Sequence, residues 1–274
     1  MIAKGATKMS MFLVGGGGGG SGDYYQAGVT GHGGCSGECL VKNDITLYAK
    51  KIEITIGIGG AGGEAGEDSD AHSTGYNGTD TILIYNNTTY TAKGGYGGDS
   101  KNMPKNTIFT NYPRGSRKWG GCGYGYNNPP DTAYSRIKAY YTLTPEEFMK
   151  KYSTKTDIHY SIAGETGTKN PFDSEDSMVY GCGGGAGYNP YHWYTQATDK
   201  TIYSKIQSEF PNYGGDNNAG GGRGGYGDNN TKENKGSDAT SYGSGGGGGA
   251  FCSKHTYSTG GNGMQGIVKL YFYK

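Results

Sequence analysis

Short apolar segments of this chain run directly into glycine. Residues 11–14 (MFLV) precede six consecutive glycines at residues 15–20. Residues 45–48 (ITLY) and 52–56 (IEITI) alternate apolar and polar side chains, which is typical of half-buried strands. The second of these segments leads into the glycine-rich residues 57–63. The pattern therefore predicts β-strands that pass into glycine tracts.

A hairpin is predicted by the apolar segments that follow. Residues 81–85 (TILIY) and 88–92 (TTYTA) are rich in β-branched and aromatic side chains, and Asn86 and Asn87 lie between them. Two short strands joined by two such residues are typical of a hairpin with a tight turn. Glycine returns at residues 94–98, directly after the second strand.

The two ends of the chain are predicted to be neighbours in one sheet. Residues 267–273 (IVKLYFY) are an apolar segment that follows glycine, just as residues 11–14 are an apolar segment that precedes it. We therefore expect a β frame in which the N-terminal and C-terminal strands come together.

The glycine tracts have no side chains to bury, so any order in them must come from the backbone. An extended left-handed helix of three residues per turn has no internal hydrogen bonds, and its N–H and C=O groups must be satisfied by neighbours. We predict that the tracts form such polyglycine-II helices and hydrogen-bond to one another in a bundle. The scaffold glycines assigned to this bundle are Gly15, Gly16, Gly17, Gly18, Gly19, Gly20, Gly245, Gly246, Gly247, Gly248 and Gly249.

Two segments interrupt the glycine pattern, at about residues 99–180 and 188–213. The first contains a capping box with proline at the first helical position, at residues 144–147 (TPEE). The second has apolar residues spaced by four between residues 202 and 210, which indicates a short amphipathic helix. The predicted fold is one mainly β, glycine-rich domain over residues 1–274, with irregular inserts that carry short helices.

Composition and charge exclude several classes of protein. The formal net charge is +1, which does not indicate a nucleic-acid or anionic-membrane partner. A mean hydropathy of −0.71 and the lack of a long apolar run argue against a transmembrane helix. The apolar run of residues 11–14 is too short for a signal peptide, so the chain is expected to be made in the cytoplasm without Sec export.

The five cysteines do not indicate a disulfide framework or a zinc site. Their number is odd, and the spacing of the first pair is not that of a zinc knuckle. Small side chains are what a glycine array can accommodate, and cysteine behaves as a small apolar residue. We interpret them as small buried residues; they are Cys35, Cys39, Cys122, Cys182 and Cys252.

No motif in the sequence has the spacing and context that a catalytic or cofactor site needs. Matches to GxGxxG arise by chance among 56 glycines, and none opens a βαβ unit. Residues 94–99 resemble the start of a calcium-binding nonapeptide, but no tandem repeat follows. Residues 164–169 lack the spacing of a phosphate-binding loop, and the five histidines form no metal-binding pair. We therefore predict that the protein is not an enzyme and uses no cofactor or metal.

Aromatic side chains are concentrated in the two inserts, which hold both tryptophans. Tyrosine and tryptophan offer a large contact area at low entropic cost and are common in recognition surfaces. An alternative is that these rings shield the glycine bundle from water. The candidate receptor-binding residues are Tyr112, Arg114, Arg117, Trp119, Tyr188, Tyr191, His192, Trp193 and Tyr194.

The strand and glycine segments resemble the glycine-rich domains of bacteriophage tail-fibre and receptor-binding proteins. The resemblance lies in residues 12–20 (FLVGGGGGG), 54–63 (ITIGIGGAGG), 91–98 (TAKGGYGG) and 260–273 (GGNGMQGIVKLYFY). More remotely, the chain is similar to the glycine-rich extracellular region of anaplastic lymphoma kinase-type receptors. The resemblance implies a β-sandwich, jelly-roll-like frame that carries bundled polyglycine-II helices, and host-binding loops presented from the bundle.

The function expected from this resemblance is that of a non-enzymatic virion protein of the tail fibre or tail tip. Its partners would be other virion proteins, a host cell-surface receptor or glycan, and further copies of the chain in a homotrimer. A structural head or tail decoration protein without receptor binding is the first alternative. An ice-binding protein and a hydrolase are weaker alternatives.

Overall fold

Most strands form where the apolar segments of the sequence predict them. The computed structural model describes residues 5–22, 31–48, 51–64, 74–98, 164, 167–185, 187, 220–225, 235–250 and 258–274. The strands within this part of the chain are β1 (Lys8–Val14), β2 (Cys39–Thr46), β3 (Ile52–Thr55), β4 (Thr81–Tyr85), β5 (Thr88–Ala92), β6 (Thr168–Lys169), β7 (Val179–Tyr180) and β8 (Ile267–Tyr273).

The N-terminal strand β1 is the middle strand of a three-stranded antiparallel sheet, with β2 on one side and β8 on the other. Val14, the last residue of β1, lies opposite Ile267, the first residue of β8. It also lies opposite Cys39 at the start of β2. The prediction that the two ends of the chain pair in one sheet is confirmed. β2 covers residues 39–46, earlier in the chain than the predicted strand at residues 45–48.

A second antiparallel sheet has the order β3-β4-β5. β4 and β5 form the predicted hairpin, and Tyr85 lies opposite Thr88 across the turn. Asn86 and Asn87 have φ angles of 48° and 60°, and two successive residues with positive φ are typical of the turn type that suits the twist of a hairpin. Asparagine tolerates this conformation better than most residues, so the prediction of a turn at this pair is confirmed.

Both sheets contribute to one apolar core. Met9, Met11 and Leu13 alternate along β1 and are fully buried against Leu83 and Tyr85 of β4. The Tyr85 hydroxyl donates a hydrogen bond of 2.9 Å to the Tyr48 carbonyl oxygen, so this buried phenol keeps a polar partner. The described part of the chain is thus mainly β, with strands in small antiparallel sheets and no helix among its residues.

The opposite face of β1 is covered by a segment whose strands the sequence analysis did not predict. β6 and β7 pair as a short antiparallel ladder, and Tyr180 of β7 packs edge-on against Phe12, with ring centroids 5.2 Å apart. Phe12, Val14 and Tyr180 form a second buried cluster. The C-terminal part of the first predicted insert therefore packs against the frame. The two predicted helices lie outside the described residues.

Candidate functional site: a glycine bundle and its open end

Residues 15–21, the central tract, continue β1 and are buried along their whole length. Their N–H groups bond to three other segments in strict rotation. Gly15, Gly18 and Ser21 donate to carbonyl oxygens within residues 32–38, at 2.8–3.0 Å. The other N–H groups of the tract donate to residues 76–79 and 261–264 in turn. The direction of hydrogen bonding therefore repeats every three residues, which is the period of a polyproline-II helix.

The carbonyl groups of the central tract bond to three further segments. Gly16 and Gly19 accept hydrogen bonds from the N–H groups of Gly95 and Gly98, both at 2.8 Å. The carbonyl groups of Gly17 and Gly20 accept from residues 60–63, and those of Gly18 and Ser21 accept from residues 246–249. The central tract thus has six neighbours, three of which receive its hydrogen bonds and three of which donate to it. From residue 16 to residue 20, both polar groups of the buried backbone are paired without side chains.

Residues 243–249, the second tract, are surrounded in the same manner. They donate backbone hydrogen bonds to the central tract and accept them from residues 31–37. They also bond to residues 261–265, 182–185, 222–225 and 237. The central and second tracts are therefore both interior members of one hydrogen-bonded bundle, and the remaining segments lie around them.

The eleven scaffold glycines of the sequence analysis all lie in these two tracts. A Cβ atom added at any of them would approach a neighbouring backbone atom closer than 3.0 Å, a distance that real Cβ atoms essentially never show. At Gly18 the obstructing atoms belong to Tyr96 and Gly97, and at Gly246 they belong to Gly261 and Asn262. Glycine is therefore required at these positions because the backbones themselves are in contact.

At the edge of the bundle, polar side chains accept hydrogen bonds from the N–H groups of glycines. Gly94 and Gly97, three residues apart, donate their N–H groups to the side chains of Asp80 and Asn77, at 2.9 and 2.8 Å. The N–H of Gly62 donates to the side-chain oxygen of Asn262 at 2.9 Å. The sequence analysis did not assign a role to these three polar residues. The sequence did contain a signal for this role. Asn77 and Asp80 are three residues apart, as are the two glycines, Gly94 and Gly97, whose N–H groups donate to them.

Several described segments of the bundle begin or stop at the same end, which we call the open end. It is defined by seven buried residues, Ser21, Gly31, Gly63, Gly98, Gly187, Gly249 and Gly260. The central tract leaves the sheet at Val14 and reaches this end at Ser21, after about 22 Å at about 3.1 Å per residue. Backbone hydrogen bonds run from Gly187 to Gly31, from Gly31 to Gly249 and from Gly249 to Ser21, each between 2.7 and 2.9 Å. These residues therefore lie at one level, on the side away from the sheets.

The aromatic candidates of the sequence analysis all lie outside the described residues. The chain that carries Tyr112, Arg114, Arg117 and Trp119 follows Gly98, and the chain that carries Tyr188, Tyr191, His192, Trp193 and Tyr194 follows Gly187. Gly98 and Gly187 are both residues of the open end. The structure thus gives the point from which each aromatic segment departs.

A polar cluster joins the β6–β7 segment to β8. The carboxylate of Asp176 accepts hydrogen bonds from Lys269 Nζ at 2.5 Å, from the Tyr180 hydroxyl at 2.7 Å and from Asn170 Nδ2 at 3.2 Å. The hydrogen bond from Lys269, followed by that from Tyr180, holds the pKa of Asp176 well below its usual range. Burial opposes the charge of Lys269, but its interactions with Asp176 and Tyr180 outweigh burial and raise its pKa.

Three of the five cysteines lie in the described part of the chain, and none of these three forms a disulfide. Cys182 is fully buried beside the second tract, as the interpretation of cysteine as a small buried residue expects, and burial raises the pKa of its thiol. Cys35 and Cys39 are partly buried. Within the described ranges, no group of three or more His, Cys, Asp or Glu side chains is arranged to hold a metal ion.

The comparison with protein families gives one match. A family model described as a glycine-rich domain matches residues 1–273, which is nearly the whole chain. The chain belongs to this glycine-rich domain family. A comparison with curated proteins finds no match. The bundle described above shows what the glycine-rich pattern of this family member builds, since its glycines are the residues at which the backbones touch.

In the described part of the chain, no helix has the length and apolar character needed to cross a bilayer.

Proposed function

We propose that this protein is a non-enzymatic virion component of a phage tail fibre or tail tip, and that it binds the host cell surface through the aromatic segments that leave the open end. In this proposal the glycine tracts are polyglycine-II helices, the two sheets form a sandwich-like frame, and the bundle acts as a stiff support. Other virion proteins bind the side of the molecule opposite the open end, and a receptor or glycan contacts the open end.

One observation carries this proposal. The segments that contain all nine aromatic and basic candidates follow Gly98 and Gly187, which lie at the same end of the bundle. Binding residues are commonly found on loops that a rigid scaffold positions, and an interior tract with six hydrogen-bonded neighbours provides such a scaffold. Aromatic rings and arginine side chains suit the recognition of glycans through stacking and charged hydrogen bonds.

The experiment compares adsorption to host cells with stability. We expect Trp193→Ala and Trp119→Ala, made separately, to weaken adsorption while the melting curve stays close to that of the wild type. Tyr48→Ala is the matched control, because the Tyr48 side chain is exposed and its backbone contacts Tyr85 on the sheet side of the molecule. This control is expected to adsorb normally.

Other outcomes would contradict the proposal in different ways. If the indole of Trp119 or Trp193 seals the bundle, its removal should cost about 3–5 kcal/mol and unfold the protein before adsorption can be measured. If both variants fold and adsorb as the wild type does, the aromatic segments are not the receptor site. That result would favour a structural decoration protein, which needs the bundle but no receptor.

A further inference from the structure

The polar cluster between the β6–β7 segment and β8 brings together the groups of an amide-forming reaction. Lys269 Nζ, an amine, and Asn170 Nδ2, the nitrogen of a carboxamide, both donate to the same carboxylate oxygen, Oδ2 of Asp176, at 2.5 and 3.2 Å. Lys269 lies on β8 near the C-terminus, whereas Asn170 follows β6. A carboxylate between an amine and a carboxamide can move a proton from one nitrogen to the other.

From this geometry we propose that Lys269 and Asn170 form an intramolecular isopeptide bond, with Asp176 as the proton-transferring group. Asp176 takes a proton from Nζ, and the neutral amine bonds to Cγ of Asn170. The Cγ–Nδ2 bond breaks, the two protons lost by Nζ pass through Asp176 to Nδ2, and the leaving group departs as ammonium while Asp176 returns to the carboxylate. The products are one new amide and one ammonium ion, so the chain loses the mass of one ammonia and the step needs no oxidant, metal or other reactant.

The side-chain carbonyl oxygen of Asn170 is also positioned for this step by a hydrogen bond. Its Oδ1 atom accepts a hydrogen bond from the backbone N–H of Phe172 at 3.1 Å. Negative charge develops on this oxygen while the amine attacks, and a fixed N–H donor stabilises such charge. The Tyr271 hydroxyl contacts Nδ2 at 2.6 Å and fixes the orientation of the carboxamide. Each polar atom of Asn170 thus has a partner that orients Cγ.

The cluster is partly shielded from water. Asn170 is 5% exposed, and the side chains of Asp176 and Lys269 are 11% and 26% exposed. The rings of Phe172 and Tyr271 are in contact, with centroids 5.3 Å apart, and Lys269 Nζ lies 5.0 Å from the ring centroid of Tyr180. Both side chains contact the same Asp176 oxygen, and such fixed proximity replaces a bimolecular encounter.

An ordinary ion pair between Lys269 and Asp176 would use the same contacts, and the pKa shifts of both groups favour the charged pair before reaction. The two cases differ in covalent mass. An isopeptide bond lowers the mass of the chain by one ammonia and survives denaturation, whereas an ion pair leaves the mass unchanged.

The experiment is the intact mass of the denatured full chain after prolonged incubation of the folded protein at physiological temperature. We expect the wild type to lack one ammonia, and Lys269→Arg to have the mass of its sequence. Lys169→Arg is the matched control, since Lys169 lies on the exposed end of β6 and should leave the ammonia loss intact. A peptide map of the wild type should contain a branched peptide that joins the segments around residues 170 and 269.

Three results would overturn the inference. An unchanged wild-type mass means that no bond forms. An ammonia loss that persists in Lys269→Arg would belong to cyclisation at an Asn-Gly pair, such as Asn77-Gly78 or Asn262-Gly263. A loss of one water would join Lys269 to Asp176 instead of Asn170. If Lys269→Arg does not fold, the peptide map of the wild type still tests the inference. The branched peptide is either present or absent there, and no variant is needed to detect it.

The part played by Asp176 has its own test. Asp176→Ala removes the proton-transferring carboxylate while Lys269 and Asn170 remain. This variant is expected to keep the mass of its sequence after the same incubation. An ammonia loss equal to that of the wild type would contradict the role given to Asp176.

Discussion

Gly17→Val is the sharpest test of the glycine bundle. A Cβ atom at Gly17 would lie 2.9 Å from the carbonyl oxygen of Gly243 and closer still to that of Ser244. Ser244 cannot withdraw freely, because its carbonyl oxygen accepts a hydrogen bond of 2.9 Å from the N–H of Met264. Gly17 in turn donates its own N–H to Met264 O at 2.9 Å. Relief of the clash must therefore break backbone hydrogen bonds.

The expected cost follows from these contacts. Overpacking a rigid interior costs about 1–3 kcal/mol. Each lost hydrogen bond adds about 0.5–1.5 kcal/mol, and more when a buried group is left unpaired. We expect a loss of about 3 kcal/mol or more, which lowers the melting temperature by roughly 6–12 °C for a domain of this size.

The assay is thermal unfolding followed by circular dichroism, with Ala61→Val as the matched control. Ala61 lies in the tract that donates to the central tract, but its side chain is exposed, so the same β-branched residue should fit there. Equal melting temperatures for Gly17→Val, Ala61→Val and the wild type would refute the bundle, because a flexible glycine linker accepts valine at either position.

Two further predictions concern the edges of the structure. Deletion of residues 267–274 removes β8 and leaves one side of the buried strand β1 unpaired, so the truncated protein should aggregate; a soluble chain that unfolds cooperatively would show that β8 is dispensable. Asn77→Ala removes the acceptor of the Gly97 N–H and should cost about 1 kcal/mol and speed hydrogen exchange at that amide, whereas unchanged exchange would mean that the side chain does not protect it.

The sequence predicts the strands and the tracts well because their signals are local. β-Branched and aromatic residues identify β4, and the pair Asn86-Asn87 identifies its turn. The six glycines after Val14 identify an interior tract, since no side chain is present to face water. These features depend on neighbouring residues alone.

The arrangement of the tracts could not be predicted, because glycine has no side chain that distinguishes one neighbour from another. Nothing in residues 15–20 indicates that Gly17 bonds to Met264 whereas Gly18 bonds to Cys35. β6 and β7 have two residues each, which is too short for a period to be recognised. The partners of Asp176 come from three separate positions in the chain, and only the fold brings them together.

The bundle also restricts where the chain can carry a useful side chain. In the outer tract at residues 57–64, Gly57, Gly60 and Gly63 are buried, and the exposed positions between them hold Ile58, Ala61 and Glu64. One face of an outer tract can therefore vary, at every third residue, while residues 15–20 of the central tract have no room for a side chain. Substitutions that spare the bundle are therefore confined to those outward rows and to the segments that leave the open end. Under the proposed receptor-binding function, the aromatic candidates in these segments could change, and receptor preference with them, without disturbing the hydrogen bonds of the bundle.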